Sequence, residues 1–217
     1  MDAVRRAFAQ YFMTVGVARE LHVKKEYKLI LEMFASPASA DGWKDAIGAI
    51  NRDLQVMNMA IRASVSEVNG HVYWALATTS NDEIAKMSLH FDQKELEFFR
   101  AVVHAIIDAG GSLPKASILD LRQSSESAIM ACRLSAQDVE RVVNDLIMRR
   151  WLREDKDGNY LLGERTYIEM RPVFEQMCGE GRIPKCASCQ RYCILASDRG
   201  MHFHCQDRMD RNDGRVQ

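Results

Sequence analysis

The sequence predicts a mainly α-helical chain with small β-hairpins, in which three helices closed by a two-stranded hairpin occur twice. Three observations carry this. Apolar residues recur at spacings of three and four over long stretches, the mark of a helix with one buried face. Twice these helices give way to strict alternation on either side of a turn dipeptide, the mark of a hairpin. Four of the six cysteines then crowd into residues 186–205, beyond the second hairpin.

Each element follows in order. Val4, Phe8, Tyr11, Phe12 and Val15 stripe a helix over 3–15. Leu29, Ile30, Leu31, Met33 and Phe34 place a second over 27–34, which Pro37 ends. Trp43, Ile47, Ile50, Leu54 and Met57 predict a third from about 41 to 59. Ile61, Ala63 and Val65 then alternate with polar residues, as do Val72, Trp74 and Leu76 beyond Asn69-Gly70. That dipeptide favours positive φ and predicts a tight hairpin turn.

The order then repeats. Asp92 and Glu95 have capping-box spacing before Leu96, Phe99, Val102, Val103, Ile106 and Ile107. Gly110-Gly111 ends that helix, and a short one is expected over 115–122. Ser135 caps a third, striped by Val139, Val142, Val143, Leu146 and Ile147. Trp151-Leu152-Arg153, Asp157-Gly158 and Tyr160-Leu161-Leu162 make the second hairpin. These are the parts of tandem winged helices, residues 1–90 and 91–180. A last helix from about Arg165 to Cys178 leads through Gly179, Gly181 and Pro184, a natural linker, to a small metal-binding segment at 181–217.

Composition narrows the function. Lys and Arg number 29 against 30 Asp and Glu, a net charge of −1. That balance excludes a strongly basic nucleic-acid coat and an acidic solvating tail. No apolar run approaches the ~18 residues of a membrane helix, and the N-terminus lacks a signal-peptide core, so no membrane role is expected. Clustered thiols in a reducing compartment bind metal more often than they pair as disulfides.

Cys186-x2-Cys189 and His202-x2-Cys205 are two such knuckles, twelve residues apart. Structural zinc takes four tetrahedral thiolate and imidazole ligands, so the pattern predicts one Zn2+ held by Cys186, Cys189, His202 and Cys205. Metal would supply folding energy that a segment so poor in apolar residues lacks. Cys193 stands outside either knuckle's register, and His204 could exchange with His202. Cys132 and Cys178 are isolated thiols.

The combination resembles the family of non-structural maintenance of chromosomes element 1. The resemblance lies in tandem winged helices, Tyr73-Trp74-Ala75-Leu76-Ala77-Thr78-Thr79-Ser80 before Ile84-Ala85-Lys86-Met87, and Glu95-Leu96-Glu97-Phe98-Phe99-Arg100. It extends to Cys-x2-Cys followed by Met201-His202-x-x-Cys205, covering roughly residues 1–205. It implies a nuclear subunit of the structural maintenance of chromosomes five–six complex, active in DNA repair and recombination. It implies winged helices that bind a MAGE-type subunit. It also implies a variant RING with E3 ubiquitin ligase activity, and hence a ubiquitin-conjugating E2 as a further partner.

The RING departs from the family. A RING is cross-braced, its first and third ligand pairs on one zinc and its second and fourth on the other. The first and third pairs match here. The second Cys-x2-Cys is absent between them, and no Cys-Pro-x-Cys follows Cys205, after which a polar tail is expected. The two absent pairs share one zinc, so the expectation is a single-zinc RING-like remnant. The E2-docking surface, which spans both zinc loops, would lack one of them.

Other constellations are weaker. Asp92, Glu95 and Glu97 read as helix caps or solvated residues, not a catalytic pair. His22, His71, His90 and His104 have no metal spacing, and no phosphate-binding glycine loop or nucleophile triad is found. The alternative reading is a DNA-binding winged-helix regulator. The third helix of the second repeat sets Arg141, Arg149 and Arg150 against Asp138, Glu140 and Asp145, a balanced face. Arg149 to Arg153 is the best basic patch, and from residue 182 seven Lys/Arg face four Asp/Glu. DNA contact is therefore expected to be weak or indirect.

Overall fold

The computed structural model describes residues 1–79, 91–121 and 134–213. These divide into two compact units, one of residues 1–66 and 71–79, the other of residues 67–70, 91–121 and 134–213. Among the described residues the chain is mainly helical with two small antiparallel sheets. No helix among them is long and apolar enough to cross a membrane.

In the first unit, α1 (Ala3–Val15) starts at Asp2, whose side chain accepts from the Arg5 amide at 2.8 Å. α2 (Glu20–Met33) begins well before the expected residue 27, because Val23 already lies on the same buried face as Tyr27, Ile30 and Leu31. α3 (Trp43–Leu54) is shorter than expected, since single 3-10 turns at Ala40–Gly42 and Gln55–Met57 flank it. Asn58, at φ +54°, turns the chain into the sheet.

That sheet pairs β2 (Met59–Val65) with β3 (Val72–Thr78), in register Ile61 to Leu76. A third strand that the alternation did not reveal, β1 (Val17–Arg19), lies on the other side of β3. Three residues are too few to show a period. The core gathers Phe8, Phe12, Val23, Tyr27, Trp43, Ile50, Leu54 and Ile61. Asn51 fixes helix to sheet, its side chain bonding both the amide (2.7 Å) and the carbonyl (3.0 Å) of Ile61.

The expected tight turn at Asn69-Gly70 is not formed. The ladder stops at Val65–Val72, and Ser66 bonds His71 across a four-residue tip, Glu67–Gly70. Gly70 has φ +68°, while Asn69 is not left-handed, as a two-residue type I′ turn would require. The tip belongs to the second unit, where the Glu67 side chain is buried.

In the second unit, α4 (Gln93–Asp108) carries the expected capping box between Asp92 and Glu95. α5 (Lys115–Leu121) is short, and α6 (Ala136–Met148) starts from a Ser135–Asp138 capping box. β4 (Leu152–Glu154) pairs with β5 (Tyr160–Leu162), and Leu113 bridges to Tyr160 where the first unit has its third strand. Trp151 is buried edge-on to Phe99 at 5.6 Å.

The single helix expected over 165–178 is two, α7 (Glu164–Glu169) and α8 (Arg171–Gly179). Pro172 opens a helix readily but cannot donate inside one, so the break falls just before it. Within the stretch expected as a linker, Ile183 is buried while residues 179–182 and Pro184 are exposed. The polar tail also contains structure: α9 runs Phe203–Asp213.

Candidate metal centre

The first knuckle is a short loop closed by an antiparallel bridge between Lys185 and Tyr192. Inside it the Cys186 amide donates to the Arg191 carbonyl at 2.8 Å, and the Gln190 amide to the Cys186 carbonyl at 2.9 Å. Gln190 takes φ +59°, which lets the chain reverse immediately after Cys189. The second knuckle is the start of α9. The amides of Cys205 and Gln206 donate to the His202 carbonyl at 2.9 and 3.0 Å, so His202 precedes the helix and Cys205 lies in its first turn. A helix places residues three apart on one face, so both side chains point the same way.

The result is a cluster in which one ligand atom each from Cys186, Cys189, His202 and Cys205 lies within 4.8 Å of the others. Cys186, His202 and Cys205 are buried and Cys189 is half-buried. Met201 and Cys193 pack beside them. Tyr192 stacks edge-on against Phe174 of α8, at 5.8 Å, and so ties the first knuckle to the helical part of the unit.

The two nitrogens of His202 face different surroundings. Nε2 sits 3.0 Å from the Tyr192 carbonyl, which only accepts, so Nε2 carries the proton and donates. Nδ1 is the nitrogen that faces the sulfurs of Cys189 at 3.4 Å and Cys205 at 3.8 Å. This is the arrangement of a metal-ligating histidine with its outer nitrogen anchored.

The thiols are tuned unequally. Burial raises the Cys186 thiol, but the backbone amides of Cys189, His202 and Ser188 directed at its sulfur outweigh burial and bring it down to about 6. Burial pushes Cys205 and Cys193 up. For His202, burial opposes the charged ring, while hydrogen bonding to Cys193, Glu67 and Cys205 outweighs it and raises the pKa. A thiolate beside a ring that readily carries positive charge is what a cation site becomes when protons occupy it.

The rivals fall outside the cluster. Cys193 is buried beside it, its Sγ toward the Leu195 carbonyl at 3.5 Å. His204 stacks on His202 with ring centres 5.1 Å apart and donates through Nδ1 to the Glu67 carbonyl at 3.3 Å. His22 and His104 are exposed, and His71 bonds Arg19 at 3.1 Å. His90, Cys132 and the stretch Ile84 to Met87 lie outside the described residues. Sequence reasoning missed Glu67, the Tyr192 carbonyl and Arg208, whose Nη2 donates to Cys205 Sγ at 3.8 Å. Glu67 carries no signal in the sequence, because its partners at Ile194 and Leu195 are 127 and 128 residues away.

The basic side chains of the DNA reading are partly committed. Arg141 pairs with Glu95 at 2.6 Å and lies 3.7 Å from Asp138.

Known proteins align with these features. A family model described as Nse1 non-SMC component of SMC5-6 complex matches residues 5–170. The human non-structural maintenance of chromosomes element 1 homolog is 30% identical over 177 residues, 81% of this chain and 65% of that protein. The Bos taurus homolog is 29% identical over 171 residues, 78% of this chain and 62% of its own length. The Xenopus tropicalis homolog is 28% identical over 204 residues, 92% of this chain and 73% of its length. The chain thus spans under two thirds of the mammalian relatives it matches. Among solved structures, a chain of an Nse1-Nse3-Nse4 complex superposes with a TM-score of 0.81 at 23% identity, covering 97% of this chain and 91% of that one.

Proposed function

Because the chain belongs to the Nse1 family of non-SMC components of the SMC5-6 complex, we propose that it serves as a subunit of such a complex in DNA repair and recombination. In this role its winged helices dock a MAGE-type partner, and it works in the nucleus. The observation that carries this reading is the family match over residues 5–170, the helix-and-hairpin part of the chain. A structural neighbour solved within an Nse1-Nse3-Nse4 complex supports a partner-bound role. Co-expression with a MAGE-type subunit tests it. A stoichiometric complex that survives gel filtration is expected, and separate elution overturns the reading.

The metal in this reading is Zn2+, held by Cys186, Cys189, His202 and Cys205. With metal–sulfur bonds of about 2.3 Å and metal–nitrogen bonds of about 2.0 Å, a tetrahedral site has sulfur–nitrogen edges of about 3.5 Å. The 3.4 and 3.8 Å separations between His202 Nδ1 and the sulfurs of Cys189 and Cys205 fit that figure. With four protein ligands the ion is structural, cross-linking the two knuckles. One zinc per folded chain is expected by elemental analysis; two, or none, overturns the assignment.

Ligase activity is not part of this proposal. Between the two knuckles the one cysteine is Cys193, which joins no second cluster among the described residues. The one such cluster among the described residues offers part of the surface on which a RING seats its E2. Discharge of ubiquitin from a charged E2, with the MAGE-type subunit present, is expected to proceed at the background rate. DNA contact is expected to come through the complex and to weaken steeply with salt, since the candidate recognition helix spends Arg141 on Glu95.

A further inference from the structure

Glu67 lies against the centre, and no metal ligand pattern accounts for it. It is 3% exposed, and a buried carboxylate is stable only when its oxygens are satisfied. Here they are. Oε1 accepts from the Ile194 amide at 3.1 Å, and Oε2 accepts from the Leu195 amide at 2.7 Å and the Tyr167 hydroxyl at 3.2 Å. Three donors fix the carboxylate, and none of them belongs to a metal ligand. Oε1 then lies 3.6 Å from His202 Nε2, the ring nitrogen turned away from the thiols. The backbone of the same residue holds the neighbouring ring, with the Glu67 carbonyl accepting from His204. Gly70 completes the contact, because a Cβ there would stand 2.9 Å from the His204 side chain.

We infer that Glu67 is a positioning residue of the metal centre, whose carboxylate acts with the Tyr192 carbonyl to hold the His202 ring with Nδ1 toward the three thiolates. The inference rests on the zinc reading above. Tyr192 supplies the direct hydrogen bond that sets the tautomer. Glu67 supplies a second, negatively charged contact on the same ring edge and stops rotation about the ring's axis. It also pins Ile194 and Leu195, the residues that follow the first knuckle, so one carboxylate fixes both the histidine and the connection between the two ligand pairs. Outer-shell groups of this kind typically change metal affinity by about 10- to 100-fold.

The test uses the full chain and its Glu67→Gln variant, which keeps shape and one acceptor oxygen while removing the charge. Zinc affinity is read by competition with a chromophoric chelator, and the His202 ring nitrogens by NMR of the loaded protein. Glu67→Gln is expected to weaken zinc binding at least about 10-fold and to broaden or shift the Nε2 resonance. Tyr167→Phe, which withdraws one donor from the carboxylate and leaves the charge, covers the case in which Glu67→Gln does not fold; it is expected to weaken zinc binding by a few-fold. An unchanged zinc affinity in a folded Glu67→Gln, with only the metal-free protein destabilised, overturns the inference and leaves the zinc reading standing. A parent chain that takes up no zinc overturns both.

Discussion

At the scale of single residues, the four side chains of the proposed zinc site differ in what each must give up to bind a cation. Cys186 is brought down to about 6 by the amides around its sulfur and is largely thiolate at neutral pH. Burial keeps Cys205 protonated, so it must lose a proton when metal enters. Cys186→Ser removes this readily ionised thiol of the proposed site, and bound zinc is expected to fall from one per chain to well below half by elemental analysis after gel filtration. A second residue-scale prediction concerns Glu20 in the first unit, where Lys24 at 2.8 Å and the Trp74 indole at 3.3 Å bond its carboxylate. The Lys24 bond, then that of Trp74, outweighs burial and lowers its pKa. A carboxyl lowered by folding contributes stability above its unfolded value, and that contribution is lost as pH falls through the folded value. Glu20→Gln should therefore be less stable than the parent by about 0.5 kcal/mol at pH 7, the difference closing in urea melts taken at acid pH.

At the scale of elements, the decisive contacts are those that join one element to the next. Asn51 bonds both backbone groups of Ile61, so α3 sets where β2 begins. Asn51→Ala leaves two partly buried backbone groups without that partner and is expected to cost about 1–3 kcal/mol in denaturant unfolding. Ser135 opens α6 by accepting from the Asp138 amide at 3.1 Å. Ser135→Ala is expected to cost about 1 kcal/mol, the worth of an N-cap. Gly111 shows why a helix end can matter to a site far along the chain. It has φ +101°, and a Cβ there would stand 2.7 Å from the Ile194 carbonyl, beside the residues that Glu67 pins.

At the scale of the whole molecule, much of the stability of residues 185–213 is expected to come from the metal. Their buried cluster contains little beyond Cys186, Cys193, Met201 and Cys205. Chelation at neutral pH should lower the melting temperature. It should also erase hydrogen-exchange protection at the amides of Cys186, Gln190, Cys193 and Cys205, each of which donates a backbone hydrogen bond here. Protection that survives full removal of zinc would show that the segment folds on its own apolar contacts.

Sequence alone determined the helix stripes, the capping box at Asp92, the N-cap at Ser135, the strands of the two hairpins and the pairs of metal-type residues. Each of these depends on neighbours within a few positions, where spacing dictates geometry. It overran α3 and started α2 late, because where a face stops being buried is settled by packing. It missed β1 and the bridge at Leu113, which are too short to carry a period and exist only because a partner strand offers free backbone groups. The break at Met170 has its local cause in Pro172. Only the tertiary structure decided that His202 and not His204 faces the thiols, and that Cys193 stands aside. The Tyr192 carbonyl holds His202, the Leu195 carbonyl faces the Cys193 thiol, and the Glu67 carboxylate meets amides 127 and 128 residues further along the chain. Contacts at that separation leave no trace in local pattern, because only the folded chain brings the donors to the carboxylate.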